Sequence, residues 1–188
     1  PEGIEYPKDF LEWSGGGKKL RDSLVLPLTN WLGEVKGVQF RFVERDRKGY
    51  MDYFVDDTEP VLFGLGQAAQ HIWSTGKVCV VEGGFDLLPV QRVLPFTIST
   101  LTAKVPKQLV RTIRRLAKQV YLFYDLDGPG RRATEAFLKF HGSKFETRVI
   151  EYPIGVQLSN GKPIKDPGDL WEAWGDERLG SFLLPQVE

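Results

Sequence analysis

Two hydrophobic periodicities divide the chain. Over residues 21–63 the pattern is that of strands. Within Val35–Val43, Val38, Phe40 and Phe42 share one side while Gln39, Arg41 and Val43 share the other, the period-two signature of a half-covered strand. Ser23–Leu28 and Tyr50–Val55 are two further predicted strands, and the charged run Glu44-Arg45-Asp46-Arg47-Lys48-Gly49 is the clearest turn between them. Leu65–Ser74 predicts a short helix. From Val78 the pattern changes. Val78-Cys79-Val80-Val81 and Val120–Tyr124 are continuous apolar runs, as strands buried on both faces require. Phe96–Ser99 and Thr147–Tyr152 are shorter candidates. Between them Phe85–Val93, Pro106–Gln119 and Gly130–Phe140 predict helices, and a last helix begins at Leu170–Trp174. Strands alternating with helices predict an α/β layer with a mainly parallel, Rossmann-like sheet and flanking helices, preceded by a smaller β-rich α/β subdomain. The expected units are residues 1–75, 76–175 and a tail, 176–188.

Composition narrows the classes. The chain has 188 residues, 41% of them hydrophobic, enough to pack a core and too many for general disorder. Lys plus Arg and Asp plus Glu balance at 25 each, so no global positive field marks a nucleic-acid partner, and any such face needs local clustering. The single cysteine, Cys79, excludes an internal disulfide and a cysteine-rich zinc site, in keeping with a reducing cytoplasm. No apolar run approaches the ~18–20 residues of a membrane span. The chain opens on Pro1 rather than Met and reads as part of a longer protein. The five tryptophans read as core or hinge packing, and His71 and His141 lie in no ligand-like cluster.

The candidate chemistry lies in three acidic stretches that follow predicted strands or occupy the loops after them. Glu82 and Asp86 stand in Glu82-Gly83-Gly84-Phe85-Asp86, Asp125 and Asp127 in Asp125-Leu126-Asp127-Gly128, and Asp166 and Asp169 in Lys165-Asp166-Pro167-Gly168-Asp169. In open parallel sheets, ligands gather at the carboxyl ends of the strands. If the strands before Glu82 and Asp125 are neighbours, the two acids emerge side by side, and an extended backbone turns Asp127 the same way as Asp125. Crowded carboxylates repel, and a divalent cation relieves that cost. Mg²⁺ suits a few carboxylates plus substrate phosphates. Gly83 and Gly84 permit a tight turn and close phosphate approach. Gly128-Pro129-Gly130 opens a helix whose first turn carries Arg131 and Arg132, a candidate phosphate grip.

This order of motifs resembles the TOPRIM domain, and within it DnaG-type primases of bacterial and phage or mobile-element kind. Val80-Val81-Glu82-Gly83-Gly84-Phe85-Asp86 resembles VVEGYxD, residues 124–133 resemble FDxDxAGxxAA, and Lys165–Asp169 resembles KDPDE, with Gly168 at the usual Asp position and Asp169 standing for the last acid. Upstream, residues 26–38 resemble FPIxDxxGxxxGFxGR and Phe63–Ala68 resembles LYGLxxA. Thr100-Leu101 stands where Gly-Thr is usual. The likeness spans about residues 20–175. It implies an RNA polymerase core that makes short RNA primers from NTPs on single-stranded DNA, a DNA-directed nucleotidyltransferase using Mg²⁺, with Mn²⁺ able to substitute. It implies Glu82, Asp125 and Asp127 as catalytic metal ligands, with Asp86, Asp166 and Asp169 completing the shell. Gly83, Gly84, Arg131 and Arg132 would bind nucleotide, and Arg41, Arg45, Arg47 and Lys48 the template. A zinc-binding domain and a replicative helicase are expected as partners outside residues 1–188, in the cytoplasm of a bacterium or phage-infected host. The alternatives in keeping with the same acids are a TOPRIM nuclease and a non-catalytic nucleic-acid-binding module.

Overall fold

A computed structural model describes residues 23–43, 50–54, 62–101 and 107–188. Eight strands form one sheet in the order β3-β2-β1-β4-β6-β5-β7-β8. They are β1 (Ser23–Thr29), β2 (Val35–Phe42), β3 (Tyr50–Phe54), β4 (Leu62–Phe63), β5 (Lys77–Val81), β6 (Thr97–Ser99), β7 (Gln119–Phe123) and β8 (Glu146–Val149). The helices are α1 (Leu65–Thr75), α2 (Gly84–Val93), α3 (Lys107–Leu116), α4 (Gly128–His141) and α5 (Pro167–Val187).

Both expected characters are present in the one sheet. β1, β2, β3 and β4 pair antiparallel, and β6, β5, β7 and β8 pair parallel. The seam is the antiparallel bridge Phe63–Ser99. The parallel strands earn their burial from composition: Val78, Cys79, Val80 and Val81 of β5 and Val120, Leu122 and Phe123 of β7 are fully buried. Strand order reverses about β5, whose neighbours are β6 and β7. Right-handed crossovers then place α2 and α3 on opposite faces, and the reversal opens a crevice at the carboxyl ends of β5 and β7.

Some boundaries differ from the sequence expectation. The pattern predicted for Thr147–Tyr152 pairs over Glu146–Val149, with a last bond from the Ile150 N–H to Leu122 O at 2.8 Å. On β2, Gln39 and Phe40 are both buried while Val38 is only partly so, because β2 is paired on both edges and covered unevenly on its faces. The expected tail 176–188 is instead helix through Val187, burying Leu179, Leu183 and Val187 against the core. Its first residues follow a kink at Gly175, where φ is 73°. Lys77 Nζ and Tyr121 Oη both donate to the Val187 carbonyl, at 2.6 and 3.0 Å, and clasp the end of α5 to β5 and β7. Among the described residues no helix is long and apolar enough to cross a membrane.

Three tryptophans depart from the expected packing: Trp31, Trp73 and Trp171 are exposed. Trp174 is half-buried, with its ring edge-on to Phe182, and Trp13 lies outside the described residues.

Candidate metal centre

The crevice is built by register. Val81 pairs with Phe123, so Glu82 leaves β5 level with Tyr124, next to Asp125. The end of β6 braces this turn: Ser99 Oγ donates to the Glu82 carbonyl at 2.9 Å, and the Thr100 N–H to Val81 O at 3.2 Å. The next residue, Leu101, is held at φ 57°, a left-handed conformation that is strained for a leucine. It stands where the primase pattern has Thr of Gly-Thr.

Three loops are then tied together. The Asp86 carboxylate, buried in the first turn of α2, accepts the Gly83 N–H at 3.1 Å and the Gly168 N–H at 2.9 Å. The Leu126 N–H donates to the Lys165 carbonyl at 2.7 Å. Asp166 caps α5 by accepting from Asp169 N–H at 2.7 Å, while Asp169 accepts the Lys165 N–H at 3.0 Å. Asp127 caps α4, its Oδ1 accepting the Gly130 N–H at 2.8 Å. Gly130 is required by close approach: a Cβ there would collide with the Asp125 carbonyl oxygen and lie 2.9 Å from its carbon.

Four of the six candidate acids are therefore held by backbone N–H groups. The other two differ. Glu82 Oε2 and Asp125 Oδ1 are buried and have no hydrogen-bond partner among the described residues. Buried orphan carboxylate oxygens are costly, and a cation is the partner that suits them. Burial pushes the Asp125 carboxyl up to about 8, with the charges of Asp86, Glu82, Asp166 and Asp127 adding to the effect. Burial also raises Glu82, helped by Asp127 and Asp86. Asp86 rises to about 6 through burial and Asp166, against the two N–H bonds that lower it.

The acids thus share one field. Even so, no three His, Cys, Asp or Glu side chains among the described residues are already closed around a common point. Asp86, Asp127, Asp166 and Asp169 are turned toward backbone N–H groups, while Glu82 and Asp125 each keep an oxygen with no such partner. Strand register and the loop-to-loop hydrogen bonds decide the proximity, against the mutual repulsion of the acids. The donor set, all carboxylate oxygens, fits a hard divalent cation.

A cavity of about 490 Å³ lies over the acids, lined by Glu82, Asp86, Asp125, Asp166 and Asp169 with Gly83 and Gly84 in its wall. Two cations, Arg41 and Lys165, line it as well. The Arg41 guanidinium sits 5.7 Å from the Phe85 ring centroid, and Lys165 Nζ pairs with Asp166 at 2.6 Å. Lys165 was not singled out from the sequence as a site residue; its place directly before Asp166 in the acidic loop was the available signal. Asp127 is exposed at the rim, and Arg131 and Arg132 are exposed on the first turn of α4, outside the cavity lining. The Arg131 Nε–H donates to the Leu126 carbonyl at 2.8 Å. Arg45, Arg47 and Lys48 lie outside the described residues.

A sheet with a switch-point crevice, Glu at the end of one strand and Asp-x-Asp at the end of its parallel neighbour, is the arrangement that the resemblance to a TOPRIM domain implies. The Toprim-like family matches residues 79–167. The DNA primase of Thermotoga maritima is 24% identical over 166 residues, covering 85% of this chain and 28% of that protein. Among solved structures, the zinc-binding and RNA polymerase domains of Aquifex aeolicus primase superpose with a TM-score of 0.72 at 22% identity, covering 97% of this chain and 42% of that one. A DnaG primase catalytic domain bound to ssDNA superposes with a TM-score of 0.65 at 22% identity, covering 90% of this chain and 58% of that one. Residues 79–167 are thus similar to the Toprim-like family, and the chain as a whole shares its fold with DnaG-type primase cores. It spans under a third of the length of the Thermotoga relative.

Proposed function

We propose that this chain is the catalytic core of a DNA primase, joining NTPs into short RNA primers on single-stranded DNA by Mg²⁺-dependent nucleotidyl transfer. The observation that carries the reading is the pair of buried, unpartnered carboxylate oxygens, Glu82 Oε2 and Asp125 Oδ1, at the ends of adjacent parallel strands. A bound Mg²⁺ supplies the positive charge that offsets the triphosphate and lowers the pKa of an attacking primer hydroxyl. Glu82 and Asp125 would hold it, with Asp127 at the rim of the same crevice as a further ligand. Asp86, Asp166 and Asp169 complete the shell or hold a second ion, and Mn²⁺ fits the same oxygens. Arg41 and Lys165 line the same cavity as the acids, where they can orient the phosphates. Gly83 and Gly84 let phosphate approach the backbone. Arg131 and Arg132 lie further out, on the path of a longer triphosphate or strand.

The division of labour follows the sheet. Residues 1–75 supply nucleic-acid contacts, with Arg41, Arg45, Arg47 and Lys48 as the basic set, and residues 76–175 supply the metal-bearing chemistry. The template, NTPs and primer are the working partners, in a cytoplasmic replication setting. A zinc-binding domain and a replicative helicase would act from outside this stretch.

The test is primer synthesis from ribonucleotides on a single-stranded template with Mg²⁺ or Mn²⁺. Asp125→Ala and Glu82→Gln each abolish product on this reading. Unchanged product from both variants refutes it, and shortened nucleic acid in reactions without NTPs replaces it with nuclease chemistry.

A further inference from the structure

A second cavity, of about 680 Å³, opens beside the acidic one and shares Phe85 and Gly168 with it. One wall is a single face of α2, where Phe85, Leu88, Pro89 and Arg92 recur at three- and four-residue spacing. The facing wall is the second turn of α5, with Trp171 and Glu172. Phe85, Leu88 and Trp171 are 41%, 49% and 38% exposed, a contiguous apolar patch that the core does not use.

The aromatic surface is preset. Trp171 Nε1–H donates to Asp176 Oδ1 at 2.7 Å, and Arg92 closes on the other oxygen of that carboxylate at 3.3 Å. A side chain already held in place loses little freedom when a ligand lands on it. The charges say which ligand. Arg92 is paired with Asp176, and Glu172 adds a further negative charge to the lining, so the groove has no surplus positive charge to draw a phosphate. Its aromatic faces suit a flat, uncharged ring. Phosphate is favoured next door, where Arg41, Lys165 and the cation-seeking acids stand. A nucleotide divides in the same way, with a stacking base one sugar away from its phosphate.

We propose that the groove between α2 and α5 is a base-stacking subsite, taking a nucleobase of the nucleotide or single strand whose phosphate lies at the acidic rim, with Phe85 and Trp171 as its aromatic faces. This rests on the primase reading for the phosphate, and on the groove alone for the base. Stacking of a base on an aromatic side chain is sequence-tolerant, so the subsite grips without selecting.

The experiment uses the full 188-residue chain with Mg²⁺ and two fluorescent probes, a single-stranded oligonucleotide containing 2-aminopurine and 2-aminopurine riboside triphosphate. Stacking quenches the probe on binding. Phe85→Ala and Trp171→Ala each weaken binding by roughly 5- to 100-fold. Trp171→Phe retains affinity within about threefold by keeping a stacking face, whereas Trp171→Leu, apolar but not aromatic, does not. Loss with the triphosphate probe identifies a free nucleotide as occupant, and loss with the oligonucleotide alone identifies the strand. If Trp171→Ala fails to fold, Leu88→Glu, at an exposed position, puts an acid in the groove and gives the same loss. Undiminished affinity for both probes in Phe85→Ala and Leu88→Glu overturns the proposal, as does full affinity in Trp171→Leu, which would mark a groove for an apolar protein segment. The two readings fail separately. Primer synthesis lost in Asp125→Asn with unchanged probe binding in the groove variants removes the subsite alone. Primer synthesis indifferent to Asp125 removes the primase reading and leaves the binding result standing.

Discussion

Asp125→Asn should stabilise the cation-free protein while destroying its activity. Asp125 is half-buried, has an unpartnered oxygen and feels four neighbouring carboxylates, which together push its carboxyl up to about 8. The unfolded chain titrates near ~3.9. Below about pH 4 the group is protonated in both states and costs nothing. Between about pH 4 and 8 the folded state keeps a proton that the unfolded chain has lost, so stability falls as pH rises, levelling off above about 8. The span from ~3.9 to about 8, at ~1.4 kcal/mol per pH unit, sets a ceiling of about 6 kcal/mol. Solvent reaching the half-exposed side of the carboxylate screens part of it, leaving roughly 2–3 kcal/mol. The amide in Asp125→Asn removes the charge and with it this pH-dependent loss. For a chain of this size that is a rise in Tm of roughly 5–10 °C at pH 8.5 in EDTA, shrinking toward zero at pH 4.5. Thermal unfolding followed by circular dichroism at both pH values measures the difference directly. Added Mg²⁺ should raise Tm for the wild type and not for the variant, since a ligand stabilises only the state that binds it. A wild-type-minus-variant difference that is flat with pH, or a variant less stable than wild type at pH 8.5, would refute the account of crowded acids.

Three further outcomes follow from the packing. Gly130→Ala should cost about 1–3 kcal/mol in denaturant midpoint and lower primer synthesis at least tenfold, because the new Cβ meets Asp125 backbone rather than a side chain that can swing away. Leu179→Ala should cost about 2–5 kcal/mol in the same assay, since Leu179 is fully buried; a loss under 0.5 kcal/mol would return residues 176–187 to the status of a loose tail. Tyr152→Phe removes the hydroxyl that donates to the Tyr124 carbonyl at 3.2 Å, just before Asp125, and should cost about 1 kcal/mol with little change in fold by circular dichroism.

The local pattern carried the elements and the short motifs. Buried strands of Val, Ile and Leu announce themselves because every position must be apolar, and Glu82, Asp125 and Asp127 could be picked out because each sits where such a run ends. The strands of the first half were likewise legible in the partial alternation around Val38–Phe42, and the expected charged turn 44–49 lies outside the described residues. Three things were beyond reach of local pattern. The joining of both halves into one sheet depends on a bridge between Phe63 and Ser99, and no single segment encodes a partner 36 residues away. The 176–187 helix passed for a tail because Gly175 and Pro185 interrupt it and its apolar residues show no clean stripe, so only its docking on α2 and β7 reveals it as core. Last, the sequence assigns acids to a rim, but the fold alone chose which of them backbone N–H groups would occupy and which two would be buried without a partner. That choice depends on register and loop-to-loop contacts, Gly168 to Asp86 above all, between residues 82 positions apart.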